Sequence, residues 1–198
     1  MGKAKRKSGQ PAPNTVTPLL APLQALQNLI SQLNDQGVII GGIAASLLGA
    51  PRFTVDLDAV VILDFADIPS LLKMASAQGI EPRISAAEAF ARTNRVLLLR
   101  HVSGEIDIDL SLGMLPFEIE MVARGITVDV GPVRLRLPTP EDLIILKAVA
   151  HRPKDLEDVK AIAESNPNLD KERIRFWVDQ FGEALDLPAL WDTISPLL

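Results

Sequence analysis

The chain has 198 residues, 47% of them hydrophobic, enough to bury one substantial core in one domain, or in one domain with a small appendage. It contains no cysteine and two histidines, which excludes disulfides, thiolate zinc sites and cysteine nucleophiles, argues against a histidine-rich metal centre and fits a reducing, cytoplasmic setting. The net charge is −5 although the chain starts with Lys3, Lys5, Arg6 and Lys7, so the remainder is more acidic still and matches extended nucleic acid poorly.

Residues 1–16 lack the apolar stretch of a signal peptide and read as a disordered basic tail. Over 18–34, Leu19, Leu20, Leu23, Leu26, Leu29, Ile30 and Leu33 recur at helical spacing, predicting an amphipathic helix that Gly37 ends. Residues 38–40 read as a short buried strand, Gly41 and Gly42 as a turn, and 43–48 as a short helix, an order compatible with phosphate binding. The clearest strand is 55–63, with Asp56, Asp58, Val60 and Ile62 on one face and an apolar set on the other.

A helix over 68–78 follows, then a less regular stretch to Ala91, then a hairpin with arms 95–101 and 105–110 turning at Ser103 and Gly104. On its second arm Glu105, Asp107 and Asp109 face one way. Pro116 suits the first position of a helix reaching Arg124, and 126–130 with 133–137 form a last strand pair. The rest is helical: Thr139, Pro140 and Asp142 start a helix reaching Ala150, a second covers 154–164, Asp170 caps a third running to Gly182, and a short one lies near 187–194. The longest apolar runs, 38–48 and 59–63, fall short of the roughly 20 residues a membrane helix requires.

Asp56 and Asp58 lie two apart on a strand, so their side chains leave the same face with Cα atoms roughly 6.6 Å apart. Like charges about 4 Å apart cost on the order of 4 kcal/mol at an effective dielectric of 20, which a cation or solvent must relieve. Hard oxygen donors select Mg2+ or Mn2+, and magnesium characteristically takes one or two carboxylates plus substrate phosphates. A solvated acidic edge that discourages strand aggregation explains the same pair. Lys147 places a cation on the apolar helix face of Leu143 and Ile144. It either meets an anion or snorkels over the core. Lys154 and Asp158 have the spacing of an ordinary helix pair. His151 suits a helix end, and Phe176, Trp177 and Trp191 suit core packing or a partner surface.

The run Gly41-Gly42-Ile43-Ala44-Ala45-Ser46-Leu47-Leu48-Gly49-Ala50-Pro51-Arg52-Phe53-Thr54-Val55-Asp56-Leu57-Asp58 resembles the nucleotidyltransferase superfamily, and more narrowly the AbiEii-type toxins and related bacterial proteins. The resemblance continues through Ile108-Asp109-Leu110, Pro116-Phe117-Glu118, the segment 137–147, and Arg152-Pro153-Lys154-Asp155-Leu156-Glu157-Asp158, spanning about 37–164. It departs from the superfamily where Gly41-Gly42 replaces a common Gly-Ser, which leaves backbone amides to contact phosphate.

The resemblance implies an α/β (α+β) fold: a mixed sheet packed by helices over 17–138, with a C-terminal helical part over 139–198. It implies that Asp56, Asp58 and Asp109 hold Mg2+ or Mn2+, with Asp107 the competitor for the third place. Gly41, Gly42, Arg52, Thr54 and Lys147 would face a nucleoside triphosphate. The implied reaction is transfer of a nucleoside monophosphate to RNA, such as a tRNA end, or to a protein hydroxyl, in a toxin with a cognate antitoxin as further partner. The alternative is a catalytically silent module of the same fold, an antitoxin or nucleotide-binding scaffold. A metal-dependent phosphodiesterase would need further histidines or acids. No P-loop, dinucleotide fingerprint or serine-hydrolase elbow is present.

Overall fold

The computed structural model describes residues 19–51 and 54–198. The basic tail read over 1–16, and Arg52, lie outside the described residues.

The first helix, α1 (Leu20–Gln32), buries Leu23, Leu26, Leu29 and Ile30, as its spacing predicts. It does not end at Gly37. Asn34 and Asp35 take left-handed conformations, φ 55° and 58°, which their short polar side chains tolerate, and Gly37 instead begins β1 (Gly37–Ile40). A Cβ on Gly37 would lie 2.8 Å from Val61 Cγ1, so this position needs glycine for close strand packing. Gly41 and Gly42, expected as a turn, are the first two residues of α2 (Gly41–Leu48).

β2 (Asp56–Ile62) follows, then α3 (Ile68–Ala77), β3 (Ile80–Pro82), α4 (Ala87–Asn94), β4 (Val96–His101) and β5 (Ile106–Gly113). The strand order is β1-β2-β5-β4-β3, with β2 and β5 parallel and the other pairs antiparallel. The mixed sheet predicted from the sequence is therefore present. Parallel pairing requires a crossover, and the segment from α3 to β4 supplies it. The stretch read as irregular contains β3 and α4. β3 is three residues long and mostly exposed, and α4 buries only Ala87 and Ala91, so neither leaves a strong hydrophobic period in the sequence.

Leu57, Ala59 and Val61 of β2, Ile108 and Leu110 of β5, and Leu97 and Leu99 of β4 are fully buried on one face of the sheet. The opposite face carries Asp56, Asp58, Asp107 and Asp109 at one end. Further along it is covered by α5 (Pro116–Arg124): a Cβ on Gly113 would meet Ile62, Val60 and Glu118 within 3.3 Å. The small hairpin of β6 (Ile126–Val130) and β7 (Val133–Leu137) leads to α6 (Pro140–Ala150), α7 (Pro153–Ser165), α8 (Lys171–Ala184) and α9 (Leu190–Ile194). Thr139 and Asp170 cap α6 and α8 by accepting from the amides of Asp142 and Arg173, the roles their positions predict.

One continuous apolar core runs from Leu19 to Ile194. Phe117 of α5 meets Trp177 and Phe181 of α8 edge-on, at 5.3 and 5.4 Å between ring centroids. The buried carboxylate of Asp142 accepts from Arg124 and Arg173 at 3.4 and 2.8 Å, tying α5, α6 and α8 together. No helix among the described residues is long and apolar enough to cross a membrane.

Candidate active site

Strand pairing sets Asp58 beside Asp109 and Asp56 beside Asp107. Adjacent strands are about 4.8 Å apart, and the period of two puts all four side chains on the same face. The acids thus form a two-by-two patch at the uncovered end of the sheet. Asp58 is half-buried and Asp56 exposed. The Asp58 carboxyl is pushed above its ordinary value, first by burial and then by the charges of Asp56 and Asp109, while Lys147 and Arg152 act in the opposite sense. Burial and like charge thus both disfavour the ionised form of Asp58.

The start of α2 abuts this group. Ile40, the last residue of β1, pairs with Asp58, and the chain then enters α2 through Gly41 at φ 66°. A Cβ on Gly41 would fall 1.9 Å from Asp58 Oδ2, so only glycine leaves the carboxylate its place. No side chain caps α2, so its first amides lack a capping partner beside the acid patch. Gly42 is buried in that same turn. Thr54 faces Asp56: its hydroxyl donates to Asp56 Oδ1 at 2.6 Å and approaches the Asp56 carbonyl at 3.3 Å.

Lys147 is buried, 4% exposed, and its ammonium meets Asp155 at 3.0 Å and Asp158 at 2.8 Å, both on α7. Asp158, spaced to pair with Lys154, instead lies buried against Lys147, whereas Lys154 is exposed. Arg152 binds the same Asp155. Burial alone would raise the Asp155 pKa; hydrogen bonds from Arg152 and Lys147, with their charges, hold it below the ordinary carboxylate value. The cation predicted on the apolar face of α6 thus has carboxylate partners within the chain, next to Asp58. His151, left-handed at φ 51°, closes α6 on the exposed surface.

Two basic neighbours of the acids are missing from the sequence reading. Arg83, just after β3, donates Nη1 to Asp107 at 2.9 Å and Nη2 to Asp109. Arg100 of β4 donates Nε to the other oxygen of Asp107 at 2.6 Å. The hydrogen bond from Arg100, together with the charges of both arginines, keeps Asp107 below its ordinary pKa despite opposition from desolvation. Arg100 sits on the hairpin arm opposite Asp107 and was within reach of a register argument. Arg83 lies in the stretch without periodicity, where no signal marked it.

All the donors in the patch are carboxylate oxygens, a set suited to a hard dication. With Asp109 drawn to Arg83, no three acids or histidines among the described residues stand together as a ready metal cage. Asp56 and Asp58, whose like charges Lys147 and Arg152 offset only in part at Asp58, fit a cation, and Asp109 fits as a third donor once it leaves Arg83.

The family model described as "Nucleotidyl transferase of unknown function (DUF2204)" matches residues 22–187. Comparison with curated proteins finds no match. Among solved structures, the crystal structure of an antigenic nucleotidyltransferase-like protein from Paracoccidioides brasiliensis aligns at a TM-score of 0.56 and 18% identity, covering 92% of this chain and 95% of that chain. At that identity the likeness bears on the fold, and the fold is nucleotidyltransferase-like. Because the family match runs from α1 to the loop before α9, the chain belongs to the nucleotidyl transferases of unknown function designated DUF2204.

Proposed function

We propose that the chain is a metal-dependent nucleotidyltransferase that moves a nucleoside monophosphate from a nucleoside triphosphate to a hydroxyl on RNA, such as a tRNA end, or on a protein. The observation that carries this reading is the register of Asp58 with Asp109 across parallel strands, directly against the glycine start of α2. Mg2+ or Mn2+, held by Asp56, Asp58 and Asp109, would neutralise phosphate charge and acidify the attacking hydroxyl. Thr54 fixes the orientation of Asp56. Gly41 and Gly42 let backbone amides and phosphate approach without a side chain between them. Lys147 and Arg152 add positive charge felt at Asp58.

In the reaction, the acceptor oxygen attacks the α-phosphorus and a P–O bond forms. The bond to the bridging oxygen breaks, pyrophosphate leaves, and Asp109 takes the hydroxyl proton. The chain's negative charge favours a compact acceptor over long nucleic acid. A role as a toxin, with an antitoxin that silences it, fits this chemistry. The second reading, a silent nucleotide-binding module, is favoured by one observation: Arg83 already occupies Asp109.

The test is incubation with magnesium, each labelled nucleoside triphosphate, and total RNA or cell lysate. Label entering a macromolecule, and lost in Asp58→Asn, supports the transferase. Equal labelling by that variant refutes the site. Nucleotide binding without transfer turns the reading to the silent module.

A further inference from the structure

We propose that Arg83 is a displaceable counter-ion: it holds Asp109 while the metal is absent and yields that carboxylate to the dication, so that it sets how tightly the ion binds. This rests on the metal reading of Asp56, Asp58 and Asp109 given above.

The geometry suits an exchange. The Arg83 amide donates to the Leu98 carbonyl at 2.9 Å, and Leu98 is the register partner of Asp109. The backbone of Arg83 is therefore pinned beside β4, and its side chain reaches over that strand to β5. There the guanidinium forks, one arm on Asp107 and the other on Asp109. Asp107 has a second cation in Arg100, whereas Arg83 is the only arginine or lysine paired to Asp109 among the described residues. Releasing the Asp109 arm leaves Arg83 tethered by Asp107 and leaves Asp107 neutralised. One carboxylate changes partner and the rest of the network stays.

The exchange is also soft. The Arg83 and Asp109 side chains are 25% and 48% exposed, and an ion pair in such a setting changes an equilibrium by roughly fivefold at most. A dication gains more than that from a third carboxylate at short range. While Arg83 holds on, two acids of the set, Asp56 and Asp58, face the ion without it. That is the number magnesium uses when substrate phosphates complete its shell. The unliganded protein therefore binds the ion weakly, and metal and triphosphate enter together.

The experiment is Mn2+ titration of the full chain, followed by electron paramagnetic resonance, in the wild type, Arg83→Gln, Arg100→Gln, Asp109→Asn, Arg83→Gln/Asp109→Asn and Asp58→Asn. Arg83→Gln is expected to tighten Mn2+ binding by about two- to fivefold, and Arg100→Gln, which lacks the contact to Asp109, by less. The gain should vanish in the Arg83→Gln/Asp109→Asn background. Unchanged affinity in Arg83→Gln, or a gain that survives loss of Asp109, overturns the proposal while weakened binding in Asp58→Asn leaves the metal reading standing. If Asp58→Asn binds Mn2+ as the wild type does, the metal reading itself falls and this proposal falls with it.

Discussion

Asp58 Oδ2 lies 1.9 Å from the point where a Cβ on Gly41 would stand, and Gly41 holds φ at 66°. Both facts oppose a side chain at this position. Gly41→Ala must strain the left-handed backbone and push the Asp58 carboxylate aside, since the Cβ would also crowd Asp58 Cγ at 2.7 Å. The expected loss of stability is about 1–3 kcal/mol, read from urea denaturation. Transfer activity should fall about a hundredfold, because a reacting group misplaced by about 1 Å costs that much. An alanine variant with full activity would show that Asp58 need not sit where it does.

Strand parity explains how much of this was legible in the sequence. Alternation alone puts Asp56 with Asp58 and Asp107 with Asp109 on shared faces, and both strands form around those acids, although Glu105, read as part of the second arm, is left-handed at φ 52° in the turn before it and β5 runs on to Gly113. What alternation cannot reveal is which strands are neighbours. The pairing of β2 with β5 depends on a crossover of more than forty residues, and the contacts that decide it are non-local. Lys147 shows the same division. Its place on an apolar helix face was readable, but its partners Asp155 and Asp158 depend on how α7 packs against α6. Arg83 was hidden for a different reason: the short β3 and the alanine-based α4 around it carry almost no hydrophobic period.

Lys147 has a structural duty that its variants will expose. Lys147→Met leaves Asp155 and Asp158 buried without their shared ammonium, and removing one partner of a buried ion pair costs about 3–5 kcal/mol. Asp155 keeps its hydrogen bonds from Arg152, so the double variant Lys147→Met/Asp158→Asn, which removes the other carboxylate charge, should recover part of that loss in urea denaturation. Transfer should stay at least about tenfold down in the double variant, because the positive charge that Asp58 feels is gone. Activity returning along with stability would assign Lys147 to the fold alone.

His101 makes folding sensitive to mild acid. The residue is 6% exposed, Nδ1 accepts from the Gly104 amide at 3.1 Å, and burial pushes its pKa below the ordinary 6.5. As pH falls through 6.5 the unfolded chain takes up a proton before the folded one does, so stability present above that pH is lost below it. The urea midpoint should decline from pH 7.5 to 5 in the wild type. His101→Gln keeps an acceptor for Gly104 and does not titrate, so its midpoint should decline less. Parallel curves would remove His101 as the cause.

Asp107 and Asp109 sit two residues apart on one face, yet their surroundings separate their roles. Arg100 and Arg83 take both oxygens of Asp107 and keep it well ionised, so it neutralises those two arginines and stands in register with the exposed Asp56. Asp109 gives one oxygen to Arg83, stands in register with Asp58, and adds its charge to the repulsion there. Asp109→Asn should therefore lower transfer about a hundredfold or more, the scale of losing a charged group that acts on the reacting centre. Asp107→Asn should lower it less than about tenfold, since its contacts are those of a partly exposed ion pair. The two variants, compared by labelled nucleotide transfer at saturating magnesium, rank the carboxylates directly. The reverse order would move the catalytic row one step along the strands, from Asp58 and Asp109 to Asp56 and Asp107.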